Sequence, residues 1–430
     1  MIPATLDLTG DEQSMLSGRQ GAGVALAMRL IVALARSDGA ARLRPVVSAH
    51  VDSCLYHGRA SLDFARRLVE LDASVAVPTT SNVGSVDLLH PGVVRDGATD
   101  TAAGRELMDA YVALGCRPTF TCAPYQNPTA RPAFGEHVAW AESNAIVFVN
   151  SVVGARTDRY GDFIDVSAAI TGRVPDGGLH HDDNRRAGLV VDCTAVSRSV
   201  LEEDAGWGAL GLVVGRRAGS RVPALTGIDG PVREDHLKAF GAGAASSGTI
   251  GLFHVIGVTP EAPDLAAVMP DHGIDTVTVT TADLLGARDE LTMGAGGARL
   301  DAVSLGTPHC SVAEFADLAT LLAGGPPPSA DVAVYVSTSR AVLEEARDLG
   351  LVQVCEQAGI RIVVDTCTYV TSILAPQVRN AMTNSAKWAW YGPSNLGVRV
   401  SLGTLAECVD SARAGRVVRH PARWGDPDAG

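Results

Sequence analysis

The chain has 430 residues, 46% hydrophobic and 19% charged, enough for two or three domains and for a core that needs no disulfides. A net charge of −13 argues against a nucleic-acid partner, because phosphate binding wants a basic face. Eight cysteines without a CxxC pair exclude ribbon-type zinc and thioredoxin chemistry and leave thiols, metal ligands or nucleophiles.

The opening MIPATLDLTGDEQ has no basic region followed by an apolar run, so a cytoplasmic rather than a secreted protein is expected. Thr9 with Glu12 fits a capping box that starts a helix. VALAMRLIVALA (24–35) is too short to span a bilayer and carries Arg29, so it reads as a buried helix and no membrane is expected. After residue 45 short apolar runs recur. Examples are RPVVSAHVDS (44–53), ASVAVPTTSN (73–82), RPTFTCAPY (117–125), AIVFVNSVVG (145–154), GLVVDCT (188–194) and ALGLVVGRR (209–217). GTIGLFHVIG (248–257), DTVTVTT (275–281), DAVSLGT (301–307), DVAVYVST (331–338), RIVVDTCTY (361–369) and VRVSLGT (398–404) continue the series. Runs rich in Val and Ile and apolar on both faces read as parallel strands covered by helices. SVAEFADLATLLAGG and SRAVLEEARDLGLVQVCEQAG supply helices between them, the second closed by Gly359. The expected class is α/β with repeated βα units. AGGPPPSAD (323–331) is the clearest break, and ITGRVPDGGLHHDDNRR (170–186) reads as a long polar loop.

In parallel α/β sheets ligands bind beyond the carboxyl ends of the strands. Three cysteines follow β-rich runs directly: Cys122 in FTCAPYQ, Cys310 in LGTPHCS and Cys367 in VDTCTYV. Ser311 and Glu314 form a capping box, which puts Cys310 at a helix mouth, where dipole and free amides favour thiolate. Thiolate is the form that binds iron. Free cysteines ordinarily pack as small apolar side chains, and Cys54, Cys116, Cys193, Cys355 and Cys408 read that way. Other polar clusters are His50, Asp52, Ser53, Tyr56 and His57, then Asn150, Ser151, Arg156 and Thr157, then Asn384, Ser385, Lys387 and Tyr391. Arg and Lys beside hydroxyls and amides suit a carboxylate-bearing substrate. Lys387 and Lys238 are the only lysines. His180, His181, Asp182 and Asp183 have metal-ligand chemistry, but four adjacent residues rarely face one ion, so a solvated loop is expected. GAGGAR (294–299) lacks the lysine of a phosphate loop.

Taken in order, SAHVDSCLYHG, TCAPYQ, ESNAIVFVNSVVGARTDRYGD, GLHHDDNRR, SLGTPHCS, VVDTCTYV and TNSAKWAWYGP resemble the catalytic large subunit of the aconitase X family, across essentially the whole chain. The resemblance implies an aconitase-like fold of three α/β domains, with mainly parallel sheets, around a central iron site. It implies that Cys122, Cys310 and Cys367 hold the metal, as a [2Fe-2S] cluster or mononuclear iron. The missing CxxC speaks against a four-iron cluster. It also implies a separate small swivelling-domain subunit that supplies a catalytic serine, making the enzyme a heterodimer.

The activity implied is a hydro-lyase that removes water from a hydroxy acid. The expected substrate is cis-3-hydroxy-L-proline, which would yield a pyrroline-2-carboxylate. Mevalonate 5-phosphate dehydration and a non-catalytic iron-binding or regulatory role are the alternatives. His50, His57 and Lys387 are the expected catalytic residues. Ser53, Ser151, Arg156, Thr157, Asn384 and Ser385 are the expected substrate contacts.

Overall fold

The computed structural model describes residues 6–95, 97–292 and 297–425. The first five residues of the opening peptide and residues 294–296 of the glycine-rich stretch lie outside the described residues. The chain divides into two compact units, Met1–Val86 with Gly97–Arg186, and Asp87–Asp96 with Ala187–Gly430.

In the first unit the capping box at Thr9 forms as expected, with Glu12 N on Thr9 Oγ1 and Thr9 N on Glu12 Oε2. The helix Ala22–Ser37 buries Met28, Ile31, Val32 and Ala35, spaced to share one face. Five short strands follow: β1 (Leu43–Pro45), β2 (Ala49–Val51), β3 (Thr79–Ser81), β4 (Ala139–Trp140) and β5 (Arg173–Pro175). β3-β2-β4 is a parallel sheet, while β1 and β5 pair antiparallel. Leu62 and Leu68 of the helix Arg59–Glu70 and Leu107 and Tyr111 of the helix Ala98–Ala113 complete the core.

The second unit holds two parallel sheets. β6 (Leu189–Ala195), β7 (Pro223–Thr226), β8 (His254–Val255) and β9 (Thr276–Thr280) run in the order β8-β7-β6-β9. β10 (Ala302–Cys310), β11 (Ala333–Thr338), β12 (Arg361–Val363), β13 (Asn380–Thr383) and β14 (Arg399–Leu402) run in the order β12-β11-β10-β13-β14. Residues 324–332, read in the sequence as a break, connect the helix Val312–Ala323 to β11 inside this sheet. Among the described residues no helix is long and apolar enough to cross a membrane.

Three apolar runs are not strands. Residues 145–154 lie in the helix Ser143–Phe148 and the π-helical turn Val149–Val153, and 209–217 lie in the helix Asp204–Ala218. Both segments are buried almost throughout, and a helix apolar all round cannot be told from a buried strand by periodicity. Residues 117–125 hold only a bridge from Arg117 to Thr80 and a 3₁₀ turn at Pro124–Gln126. The polar stretch 170–186 is likewise less a loop than expected. It carries β5 and 3₁₀ turns at Gly178–His180 and Asp182–Arg185.

β10 is bent where its pairing with β11 shifts between Leu305 and Cys310. Gly306 makes the bend at φ +80°, so close to β11 that a Cβ would lie 2.1 Å from the carbonyl oxygen of Ser337. Neither the angle nor the space accepts a side chain. Gly306→Ala is expected to cost roughly 3 kcal/mol, read as a lowered urea midpoint in equilibrium unfolding. A wild-type midpoint would contradict the fit described.

Candidate active site

In the first unit the carboxyl ends of β2, β3 and β4 carry a buried polar group. His50 on β2 is fully buried, its Nδ1 2.8 Å from Thr80 Oγ1 on β3 and its ring tilted against Trp140 of β4. Burial lowers its pKa to about 3, so the imidazole is neutral. Asp52, one residue past β2, accepts a hydrogen bond from Asn82, one residue past β3. Burial, reinforced by the Glu142 carboxylate, raises Asp52 to about 7. Glu142 caps the helix Ser143–Phe148 by accepting from Ala145 N at 2.7 Å. His50 Nε2, Asn82 Oδ1, Trp140 Nε1 and Asn144 Oδ1 are buried without a hydrogen-bond partner. Leaving one such atom unmet costs about 1–3 kcal/mol, so these buried groups call for polar partners. Cys122 is buried, and its carbonyl accepts from Asn144 Nδ2 at 3.3 Å.

Several expected substrate contacts in this unit are already committed to protein. Ser53 Oγ donates to Asp165 at 2.7 Å and accepts from Tyr111 Oη at 2.6 Å, so it locks the turn after β2 instead of meeting a ligand. Thr157 is fully buried, with its Oγ1 receiving Trp140 N at 3.0 Å. Arg156 pairs with Asp182 and points at the His180 carbonyl, so it clamps the 178–185 turns. Ser151 is buried in the π-helical turn. His57 is exposed, whereas His50 is buried. His181, Asp182 and Asp183 are exposed, as expected of a solvated loop, but His180 is not. His180 is buried in a chain where Arg44 donates to His137 Nε2, His137 Nδ1 lies 3.0 Å from His180 Nδ1, and His180 Nε2 lies 2.7 Å from Tyr160 Oη.

In the second unit the bend of β10 and the turn after β12 meet. Thr307 Oγ1 lies 3.1 Å from Cys367 Sγ. Burial raises the Cys367 thiol, but the Thr307 hydroxyl, the backbone amides of Tyr369 and Thr368 and the Lys387 ammonium all pull the other way. Asp365, at φ +61° two residues before Cys367, is held by both arms of Arg340 at 2.6 and 2.7 Å, which fixes the turn. Asn384 and Ser385, past β13, line a small cavity with Thr307. Ser385 also caps the helix Ala386–Leu396, which carries Lys387.

Cys310 does not have the setting expected of it. Its capping box forms, but the box itself claims the amides of Ser311 and Glu314. The thiol packs in the apolar cluster of Phe315, Leu318, Val352 and Cys355. Burial pushes it well above its ordinary value, the Glu314 carboxylate pushes it further, and the Lys238 ammonium pulls the other way. The residue of that corner facing the site is Thr307, which the sequence reading passed over for the more reactive side chain three positions on. Lys238 explains part of the geometry: buried, it pairs with Asp235 at 2.9 Å and with Glu314, and donates to the His309 carbonyl at 3.3 Å. Among the described residues no three His, Cys, Asp or Glu side chains are grouped as metal ligands.

Fold and site define an α/β protein with a buried thiol and unsatisfied polar groups at the ends of parallel strands. Family models for the first, second and third domains of aconitase X match residues 5–183, 187–289 and 300–414. The chain is 40% identical over 413 residues to a cis-3-hydroxy-L-proline dehydratase of Hypocrea jecorina, covering 95% of this chain and 69% of that one. It is 34% identical over 410 residues to a phosphomevalonate dehydratase large subunit of Thermococcus kodakarensis, covering 94% of this chain and 99% of that one. The solved holo-form of aconitase X from the same archaeon superposes with a TM-score of 0.85 at 33% identity, covering 95% of this chain and 100% of that one. The chain belongs to the aconitase X family.

Asp52 gives the site a pH signature. Its carboxyl is raised in the fold to about 7 from 3.8, so the native state binds the extra proton between those values and stability falls as pH rises through that window. Asp52→Asn keeps an acceptor for Asn82 and removes the buried charge. It is expected to raise Tm by a few degrees at about pH 8 and to change it little at about pH 4. An equal shift at both pH values would contradict the assignment.

Proposed function

We propose that this chain is the large subunit of an iron-dependent hydro-lyase that dehydrates cis-3-hydroxy-L-proline in the cytoplasm. The observation that carries the reading is the Cys367 thiol, set among Thr307, two backbone amides and Lys387 at the end of a parallel strand. A thiol so surrounded by donors suits an iron ligand, because the same donors stabilise thiolate. Cys122 and Cys310, which also stand past β-rich runs, are the further ligands proposed. Whether the iron is mononuclear or a [2Fe-2S] cluster follows from the number of thiolates recruited. The three parallel sheets are read as the cores of three α/β subdomains.

Bound iron supplies a Lewis acid for the leaving hydroxyl. Lys387 binds the substrate carboxylate and makes the α-proton more acidic. Asn384 and Ser385 orient the same end of the substrate. His50, neutral and with Nε2 unclaimed, can accept a proton, and Asp52 can hold one at neutral pH. A small subunit of the swivelling type brings the serine that removes the α-proton. The naming of relatives as large subunits supports a partner of this kind. Dehydration of mevalonate 5-phosphate is the second reading, favoured by the near-complete coverage of phosphomevalonate dehydratase large subunits.

The test is product formation by anaerobically prepared chain, co-expressed with a small subunit, on each substrate in turn. Turnover of cis-3-hydroxy-L-proline supports the proposal; turnover of mevalonate 5-phosphate alone would replace it with the second reading. Lys387→Ala is expected to lower kcat/KM on the accepted substrate about 100-fold. Full activity in that variant would remove Lys387 from the mechanism.

A further inference from the structure

The five-stranded sheet has a second end. Thr307 past the bend of β10, Cys367 after β12 and Asn384 after β13 stand toward the carboxyl end of its strands. Beyond the amino ends lies a separate cavity of about 400 Å³. β11 has six residues, so at roughly 3.3 Å per residue the two ends stand about 20 Å apart. The cavity is lined by Arg95, by Arg361 at the first residue of β12, and by Val332, Ala333 and Val378 at the starts of the neighbouring strands.

Both guanidiniums are held in place by contacts that leave donors over. Arg95 N donates to Ser372 O at 2.8 Å and Arg95 Nε to Ile373 O at 3.0 Å, which pins the stem and leaves the two terminal amines. Arg361 lies over the ring of buried Tyr335, 5.7 Å from its centroid, with Nη1 3.3 Å from Tyr335 Oη. Asp301 at the same rim is already engaged. Its Oδ2 accepts the amides of Arg379 at 2.9 Å and Asn380 at 3.0 Å, and its Oδ1 lies 3.3 Å from Arg299 Nε. Two oriented guanidiniums with Val332, Ala333 and Val378 beside them suit an oxyanion attached to a small hydrocarbon body. Their place at the end opposite the thiol separates this cavity from the catalytic residues.

We propose that the amino end of the five-stranded sheet is a second ligand site that takes a small organic carboxylate, with Arg95 and Arg361 holding the carboxylate and Val332, Ala333 and Val378 meeting the carbon chain. The test is titration calorimetry of the full chain with succinate as the probe and sulfate as an anion without a hydrocarbon body. Saturable succinate binding is expected, tighter than that of sulfate. It should weaken about tenfold or more in Arg361→Gln and in Arg95→Gln, each checked for a native circular dichroism spectrum, and be unchanged in Cys367→Ala. Absence of saturable binding, wild-type affinity in either arginine variant, or sulfate binding as tightly as succinate would overturn the proposal.

Discussion

The structure of the second unit turns on the contact between Gly306 and the Ser337 carbonyl. β10 can bend against β11 only because no side chain stands between them. The bend sends Thr307 toward Cys367 and leaves Cys310 pointing into the apolar layer under the helix Val312–Ala323. Lys238 secures the same corner from the other side by joining Asp235 and Glu314 and holding the His309 carbonyl. A buried ion group of this kind adds little net stability, since desolvation offsets the attraction, but it fixes one arrangement of the backbone.

The first unit uses the same principle with different chemistry. Strand ends deliver His50, Asp52 and Asn82 into one buried polar layer, and Asp165 anchors it by accepting from both Asp52 N and Ser53 N. The layer is incompletely satisfied, which is unusual for a core and ordinary for a binding site. Low dielectric there keeps His50 neutral and Asp52 protonated near neutral pH, so two groups close in sequence hold opposite proton-transfer capacities.

Much of this was legible in the sequence, and the misses have physical causes. Four strands of the five-stranded sheet announce themselves through Val-rich runs ending in polar corners, as DAVSLGT and DVAVYVST do, and the capping boxes at Thr9 and Ser311 form as read. Residues 145–154 and 209–217 misled because helices buried on every side lose their periodicity. β4, with two residues, and β13, in a polar segment, were too short or too polar to signal themselves. Among site residues, reactivity was a poor guide. Cys310 drew attention as a thiol at a helix mouth, yet the capping box that marks the mouth also consumes its amides and brings a carboxylate. Ser53, Arg156 and Thr157 have the side chains of a substrate pocket but spend them on the scaffold. Asp52 stood out within the His50 cluster, while Thr307 and Asn82 lay in quoted stretches without a pattern that distinguishes them from turn residues.

The central proposal is that Cys367 holds the metal. The most direct measurement is anomalous diffraction at the iron edge from crystals of anaerobically prepared protein. The account predicts an iron peak within bonding distance of Cys367 Sγ. Iron bound without Cys367 would contradict it.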